Sequence, residues 1–194
     1  RRGLLLPGAF IPAFERNGLI VKLDLRVWEL ACRQLQKWKD EGFTDRYLSV
    51  NISPKDFFFV DIYKEFNTLV HRYGIDRKNL KLEITESAMM TDLPKQLALI
   101  KRLRAAGFVV EMDDFGSGYS SLNMLKDICV DVLKIDMHFL RESEREERSR
   151  TILKMIVALA KELGMPVITE GVETKEHVDF LTKIGCDVFQ GYFF

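Results

Sequence analysis

The chain is poor in every pattern that would mark a disulfide scaffold, a zinc module, a membrane span or a nucleic-acid surface. It has three cysteines in 194 residues, Cys32, Cys129 and Cys186, an odd number without metal spacing. They read as buried free thiols in a reducing cytosol. The three histidines form no site: His71 and His177 fall in helical stretches and His138 follows a strand. An excess of one charge is missing, since Lys plus Arg and Asp plus Glu are 29 each, which gives no support to a nucleic-acid or membrane surface. No apolar run approaches the roughly 20 residues of a membrane helix. The opening Arg1-Arg2-Gly3-Leu4-Leu5-Leu6-Pro7 is too short for a signal peptide. There is no Ser/Gly linker and no low-complexity tract. These absences leave one soluble cytoplasmic domain over residues 1–194, with ordinary apolar (47%) and charged (30%) content.

Against that background, six short β-branched or apolar stretches each run into a polar residue. They are Tyr47 to Asn51, Leu80 to Glu83, Phe108 to Asp113, Val130 to Lys134, Pro166 to Glu170 and Cys186 to Gln190. Helical patterns precede or follow them, at 22–40, from Ser53-Pro54 to Tyr73-Gly74, and near 93–106, 148–163 and 174–184. Gly107, Gly164 and Gly185 each follow a helix as a C-terminal stop. Strands alternating with helices imply parallel pairing. The expected fold is α/β, a TIM-like (β/α)8 barrel. A complete one has eight strands in about 250 residues, so the barrel is expected to be incomplete at its N-terminus, and its C-terminal end, where the chain stops at Phe194, is left open. Arg141 to Arg150 is a mixed-sign run that reads as a solvated loop and helix start.

Function in such barrels gathers where the strands end. Side chains alternate between faces along a strand, and Leu48, Val50, Leu82 and Ile84 take the helix-facing side. Parity then turns Asn51, Glu83, Asp113, Lys134, Glu170 and Gln190 inward. Asp113-Asp114 is the sharpest local signal. Two carboxylates about 4 Å apart repel by roughly 4 kcal/mol at an effective dielectric near 20, so a proton or a cation is expected between them. Read alone, the pair is also an ordinary turn or cap before Phe115-Gly116. With Glu83 and Asn51 it makes an oxygen-rich set without Cys or His, which suits Mg2+ or Mn2+ in a two-metal site. Lys134 could orient a water or stabilise phosphate charge, or simply pair with Asp136. Glu170 and Glu173 could divide the roles of base and ligand, or form an acidic first turn before Thr174. Gly116-Ser117-Gly118 is a candidate responsive loop.

These residues, taken in order, resemble a known family. The segments are Phe10-Ile11-Pro12, Ser49-Val50-Asn51-Ile52-Ser53, Leu82-Glu83-Ile84-Thr85-Glu86-Ser87, Asp113-Asp114-Phe115-Gly116-Ser117-Gly118-Tyr119, Leu133-Lys134-Ile135-Asp136, Glu170-Gly171-Val172-Glu173-Thr174 and Gln190-Gly191-Tyr192. Together they resemble the EAL domain, the bacterial cyclic di-GMP phosphodiesterase, over essentially the whole chain. The resemblance implies hydrolysis of cyclic di-GMP to linear pGpG with Mg2+ or Mn2+. It implies metal ligation by Asn51, Glu83 and Asp113, with Asp114 and Glu170 at a second ion. It casts Glu170 as general base, Lys134 as holder of the water, and Asp136, Glu173 and Gln190 as supports for metal or substrate. Glu86 would anchor the loop at Phe115 to Tyr119. It further implies a homodimer through the loop and helix after Asp114, and a sensory or GGDEF domain elsewhere in the full-length protein.

Two departures stand out. The family's Glu-Ala-Leu strand would precede Arg1, so the chain as given is expected to turn over poorly. Ser117 stands where Thr is usual. The rival expectation is a receptor that binds cyclic di-GMP without cutting it. A third, drawn from the residues alone, is a barrel enzyme abstracting a proton from a carboxylate substrate.

Overall fold

The computed structural model describes residues 3, 5–116, 127–136 and 146–194. The loop beyond Gly116 with the segment expected to carry dimer contacts, His138, and the charge run as far as residue 145 lie outside the described residues. Those described form helices α1 (Ile11–Asn17), α2 (Ile20–Asp40), α3 (Asp56–Phe59), α4 (Ile62–Tyr73), α5 (Glu86–Met89), α6 (Leu93–Ala105), α7 (Glu146–Glu162) and α8 (Lys175–Ile184). The strands are β1 (Leu48–Ile52), β2 (Leu80–Thr85), β3 (Val109–Phe115), β4 (Val132–Asp136), β5 (Val167–Glu170) and β6 (Val188–Phe189). All six belong to one sheet, in the order β1-β2-β3-β4-β5-β6. The fold is α/β, as the alternation of elements required, and among the described residues the order of strands is open.

The chain divides into two compact units, Arg1–Glu83 with Thr91–Val109, and Ile84–Met90 with Val110–Phe194. In the first, α2 is amphipathic and buries Ile20, Trp28, Cys32 and Leu35. Trp28 meets Phe66 of α4 at 4.5 Å between ring centroids, and Phe66 meets Phe108 at 6.0 Å. Offset aromatic contacts of this kind add to the gain from burial. Arg102 of α6 lies over the Tyr63 ring at 3.7 Å, tying α6 to α4.

The helix expected from Ser53-Pro54 to Tyr73 is instead two helices. Asp56 turns its carboxylate back onto the Ser53 amide, and Val60 is extended at φ −127, ψ 137. Asp61 then starts α4 afresh by accepting the Lys64 N–H at 3.0 Å.

In the second unit the ladder is parallel. Glu111 and Met112 pair with Val132 and Leu133, and Lys134, Ile135 and Asp136 pair with Ile168, Thr169 and Glu170. Leu133, Lys134 and Ile135 are all buried, as are Val110, Glu111 and Met112. Burial on both faces is the habit of parallel strands. β6 is shorter than the expected Cys186–Gln190. Gly185, at φ 94, ends α8, and the Cys186 amide is still occupied closing that helix onto the Leu181 carbonyl.

Candidate active site at the strand ends

Lys134 is the centre of the polar cluster in the second unit. It sits mid-strand on β4, only 6% exposed. A buried ammonium is costly unless paired. Its Nζ lies 2.5 Å from Glu170 Oε1 on β5 and 3.6 Å from Asp113 Oδ1 on β3. The register explains the reach. Lys134 lies level with Ile168, and Glu170 is two residues further along the same face. Asp136 is level with Glu170. Burial pushes the Glu170 carboxyl above its usual range, Lys134 opposes this, and the charges of Asp113 and Asp114 add to the rise.

Asp113 and Asp114 are placed by a bulge. Met112 pairs with Leu133, but Phe115 pairs with Ile135, so β3 carries one extra residue between them. Asp114 takes up the difference at φ 54, the left-handed region, among the described residues the single non-glycine there. Its amide donates to Asp113 Oδ1 at 2.9 Å. The bulge has an anchor. Glu86, 3% exposed at the start of α5, accepts the Gly116 N–H at 3.0 Å. Gly116 lies within the segment, Phe115 to Tyr119, that the resemblance assigns to Glu86.

Beyond β5 the chain folds over its own end. The Val172 amide donates to the Gln190 carbonyl, and the Val172 carbonyl accepts from Phe193. Between them Gly191 passes so close that a Cβ would overlap the Val172 backbone. This strap holds Gly171-Val172-Glu173 beside Glu170. Glu173 is exposed, just ahead of α8, and its amide donates to His177 Nδ1 at 3.4 Å. Gln190 is exposed too, its backbone bonded to Thr169 and Val172.

Asn51 and Glu83 stand near the ends of β1 and β2 in the first unit, Asn51 exposed and Glu83 half-buried on the face opposite Leu82 and Ile84. Asp113, Lys134 and Glu170 are thus brought together directly, with Asp114 adjacent in the chain and Asp136 beside Glu170 on the ladder. Among the described residues no three His, Cys, Asp or Glu side chains converge on a point fit for a metal ion. The donors nevertheless have the right chemistry for a hard cation. They are carboxylate oxygens, and the single ammonium between Asp113 and Glu170 does not balance Asp113, Asp114 and Glu170 together.

Three features escaped sequence reading: the extra residue at Asp114, the close approach at Gly191, and a buried network beneath Asn51. In that network Trp28 Nε1–H donates to the Asn51 carbonyl at 2.8 Å, Asp24 accepts from the Ser53 hydroxyl, and Asp56 accepts from the Ser53 amide at 2.8 Å. Asp24 and Trp28 stand four apart on one helix, a spacing that could have flagged them.

Comparison with known proteins identifies the family. The chain is 38% identical over 192 residues to the bifunctional diguanylate cyclase/cyclic di-GMP phosphodiesterase MucR of Pseudomonas aeruginosa, covering 99% of this chain and 28% of that protein. It is 35% identical over 193 residues to the cyclic di-GMP phosphodiesterase PdeR of Escherichia coli, covering 100% and 29%. It spans between 24% and 28% of the length of MucR, DosP and NbdA. Among solved structures it is similar to the PaMucR phosphodiesterase in complex with c-di-GMP, at a TM-score of 0.91 and 37% identity, covering all of this chain and 78% of that one. It is similar also to the EAL enzyme Bd1971 bound to cAMP and cyclic di-GMP, at 0.88 and 27%, covering 98% and 53%. The profile of the EAL domain matches residues 1–194, and the chain belongs to the EAL domain family, with that family's TIM-like α/β fold.

Proposed function

We propose that this chain is the cyclic di-GMP phosphodiesterase module of a longer signalling protein, opening one phosphodiester to give linear pGpG. The observation that carries the reading is the buried Lys134 bridging Asp113 and Glu170 across three adjacent strands. In hydrolysis a water oxygen bonds to phosphorus, the bond to the ribose oxygen breaks, and one proton moves from water towards the leaving oxygen. Glu170, with its raised proton affinity, is placed to take the water's proton as general base. Lys134 holds that water and balances charge on the phosphoryl oxygens. Asn51, Glu83, Asp113 and Asp114, with Glu170, would hold Mg2+ or Mn2+. When bound, the ions supply Lewis-acid polarisation and a bound water of lowered pKa. Asp136, Glu173 and Gln190 support the site, and Glu86 fixes the bulge that aims Asp113 and Asp114.

The accompanying reading is a bacterial cytoplasmic location, a homodimer through the segment after Asp114, and a sensory or GGDEF domain in the same chain. Among the described residues no helix is long and apolar enough to cross a membrane. The full-length protein, incubated with Mn2+ and cyclic di-GMP, is expected to release pGpG on chromatographic analysis. Tight binding without product would replace the enzyme with a receptor. Neither binding nor product would overturn both.

A further inference from the structure

Beneath the polar end of β1 lies a buried hydrogen-bond network whose members touch residues 51–53 on three sides. Trp28 of α2 is 0% exposed, and its Nε1–H donates to the Asn51 carbonyl at 2.8 Å. Asp24, one turn earlier on α2 and 7% exposed, accepts from the Ser53 hydroxyl. Asp56, 0% exposed, accepts the Ser53 N–H on Oδ2 at 2.8 Å. Its other oxygen, Oδ1, is buried and receives no N–H or O–H from the described residues. An orphaned carboxylate oxygen in such a place costs several kcal/mol, on the order of the desolvation of a polar group. Burial and the Asp24 charge raise the Asp56 carboxyl, and two buried carboxyls that repel in this way are relieved by a proton held between them. A proton on Asp56 donated to Asp24 removes the orphan.

The geometry points to Asp24, Asp56 and Trp28 as positioning residues that aim the Asn51 side chain, with the proton held between the two carboxyls keeping the end of β1 in place. The inference rests on the reading of Asn51 as part of the catalytic metal site. Burial first, and then the Asp24 charge, lift the Asp56 carboxyl to about 7. Asp24 is raised as well, by burial and by the charge of Glu15 on α1. The network is therefore expected to lose its proton near neutral pH. Loss leaves two buried like charges, and the contacts to Ser53 loosen.

The test uses the full-length protein, labelled with 15N-asparagine, and its Trp28→Phe, Asp56→Asn and Asp56→Ala variants. Trp28→Phe keeps the ring on Phe66 and deletes one donor. Asp56→Asn keeps the acceptor for Ser53 and replaces the acid O–H with a permanent N–H donor. Three readouts are taken: the Mn2+ concentration at half-saturation by paramagnetic resonance of free Mn2+, the pH profile of cyclic di-GMP hydrolysis, and the Asn51 side-chain amide signals.

Trp28→Phe and Asp56→Ala are expected to weaken Mn2+ binding about tenfold, the scale of lost outer-shell support, and to shift the Asn51 amide signals. Asp56→Asn is expected to flatten the decline of activity above neutral pH and to restore the binding that Asp56→Ala loses. Unchanged Asn51 signals in Trp28→Phe, or an Asp56→Asn profile that declines as the wild type does, overturns the inference. If the wild type neither binds Mn2+ nor cuts cyclic di-GMP, the functional reading fails by itself. The Asn51 signals still decide the positioning claim, by moving or not moving in Trp28→Phe and through pH 7.

Discussion

At the scale of single residues, the site turns on buried charge. Lys134 is embedded in β4 and compensated by Glu170 and Asp113. Its ammonium faces carboxylates rather than bulk water. Lys134→Met fills nearly the same volume without the charge. It is expected to lower kcat by about 10²–10³, as removal of one preorganised donor does, while equilibrium binding of cyclic di-GMP changes little. A variant that loses binding and keeps kcat would show that Lys134 grips substrate rather than the reacting water.

Asp56 makes a separate prediction about stability. Its carboxyl is held at about 7 in the fold, against an ordinary 3.8. Between those values the folded chain keeps a proton that the unfolded chain releases. Stability from this group is therefore full below about pH 3.8, falls as pH rises to about 7, and is flat beyond. Asp56→Asn is neutral throughout. Its thermal midpoint is expected to gain steadily on the wild type from pH 4 to pH 7, by roughly 2–4 °C for each kcal/mol of stability the wild type loses in a chain of this size. A gap that stays constant across that range would place the proton elsewhere.

At the scale of elements, what could be read in the sequence was what repeats. Leu80, Leu82 and Ile84 alternate with Lys81, Glu83 and Thr85, so β2 and its two faces follow from spacing alone. Glycines after α6, α7 and α8 mark where those helices stop. The helix starting at Ser53-Pro54 failed because a side chain intervened. Asp56 bonds backward to Ser53 and Asp61 caps a second helix, so one apolar period is cut in two. The bulge at Asp114 was hidden for a similar reason, since residue types fix parity but not an extra residue. Asp, Lys and Glu could be named from their chemistry, whereas the contacts that surround them, those of Gly191 with the Val172 backbone, are visible only in three dimensions.

Gly191 offers the sharpest trial of such support. A methyl group there meets the Val172 backbone, which cannot move without breaking its bonds to Gln190 and Phe193. Gly191→Ala is expected to destabilise by about 1–3 kcal/mol, the usual range for overpacking, and to cut activity by displacing Glu170 and Glu173. Unaltered activity with a lowered melting point would confine the strap to stability.

At the scale of the whole chain, electrostatics distinguishes local from global attraction. Positive and negative side chains are equal in number, with a pI near 7.0. A dinucleotide with two phosphates therefore meets no net field from this chain at a distance, and long-range steering requires one. What attraction there is must come from groups near the site, within a Debye length of about 10 Å at 0.1 M salt. Groups that close, buried like Lys134 or holding a cation, are screened far less than surface charges. Cyclic di-GMP hydrolysis is thus expected to keep kcat/KM within about threefold between roughly 0.05 and 0.3 M salt at fixed free Mn2+, whereas steered association falls steeply over such a range. A tenfold fall would mean that charge outside this chain recruits the substrate. On the reading of this chain as one module, domains outside it would then be part of how the site finds its ligand; the chain spans about a quarter of the length of its first relatives.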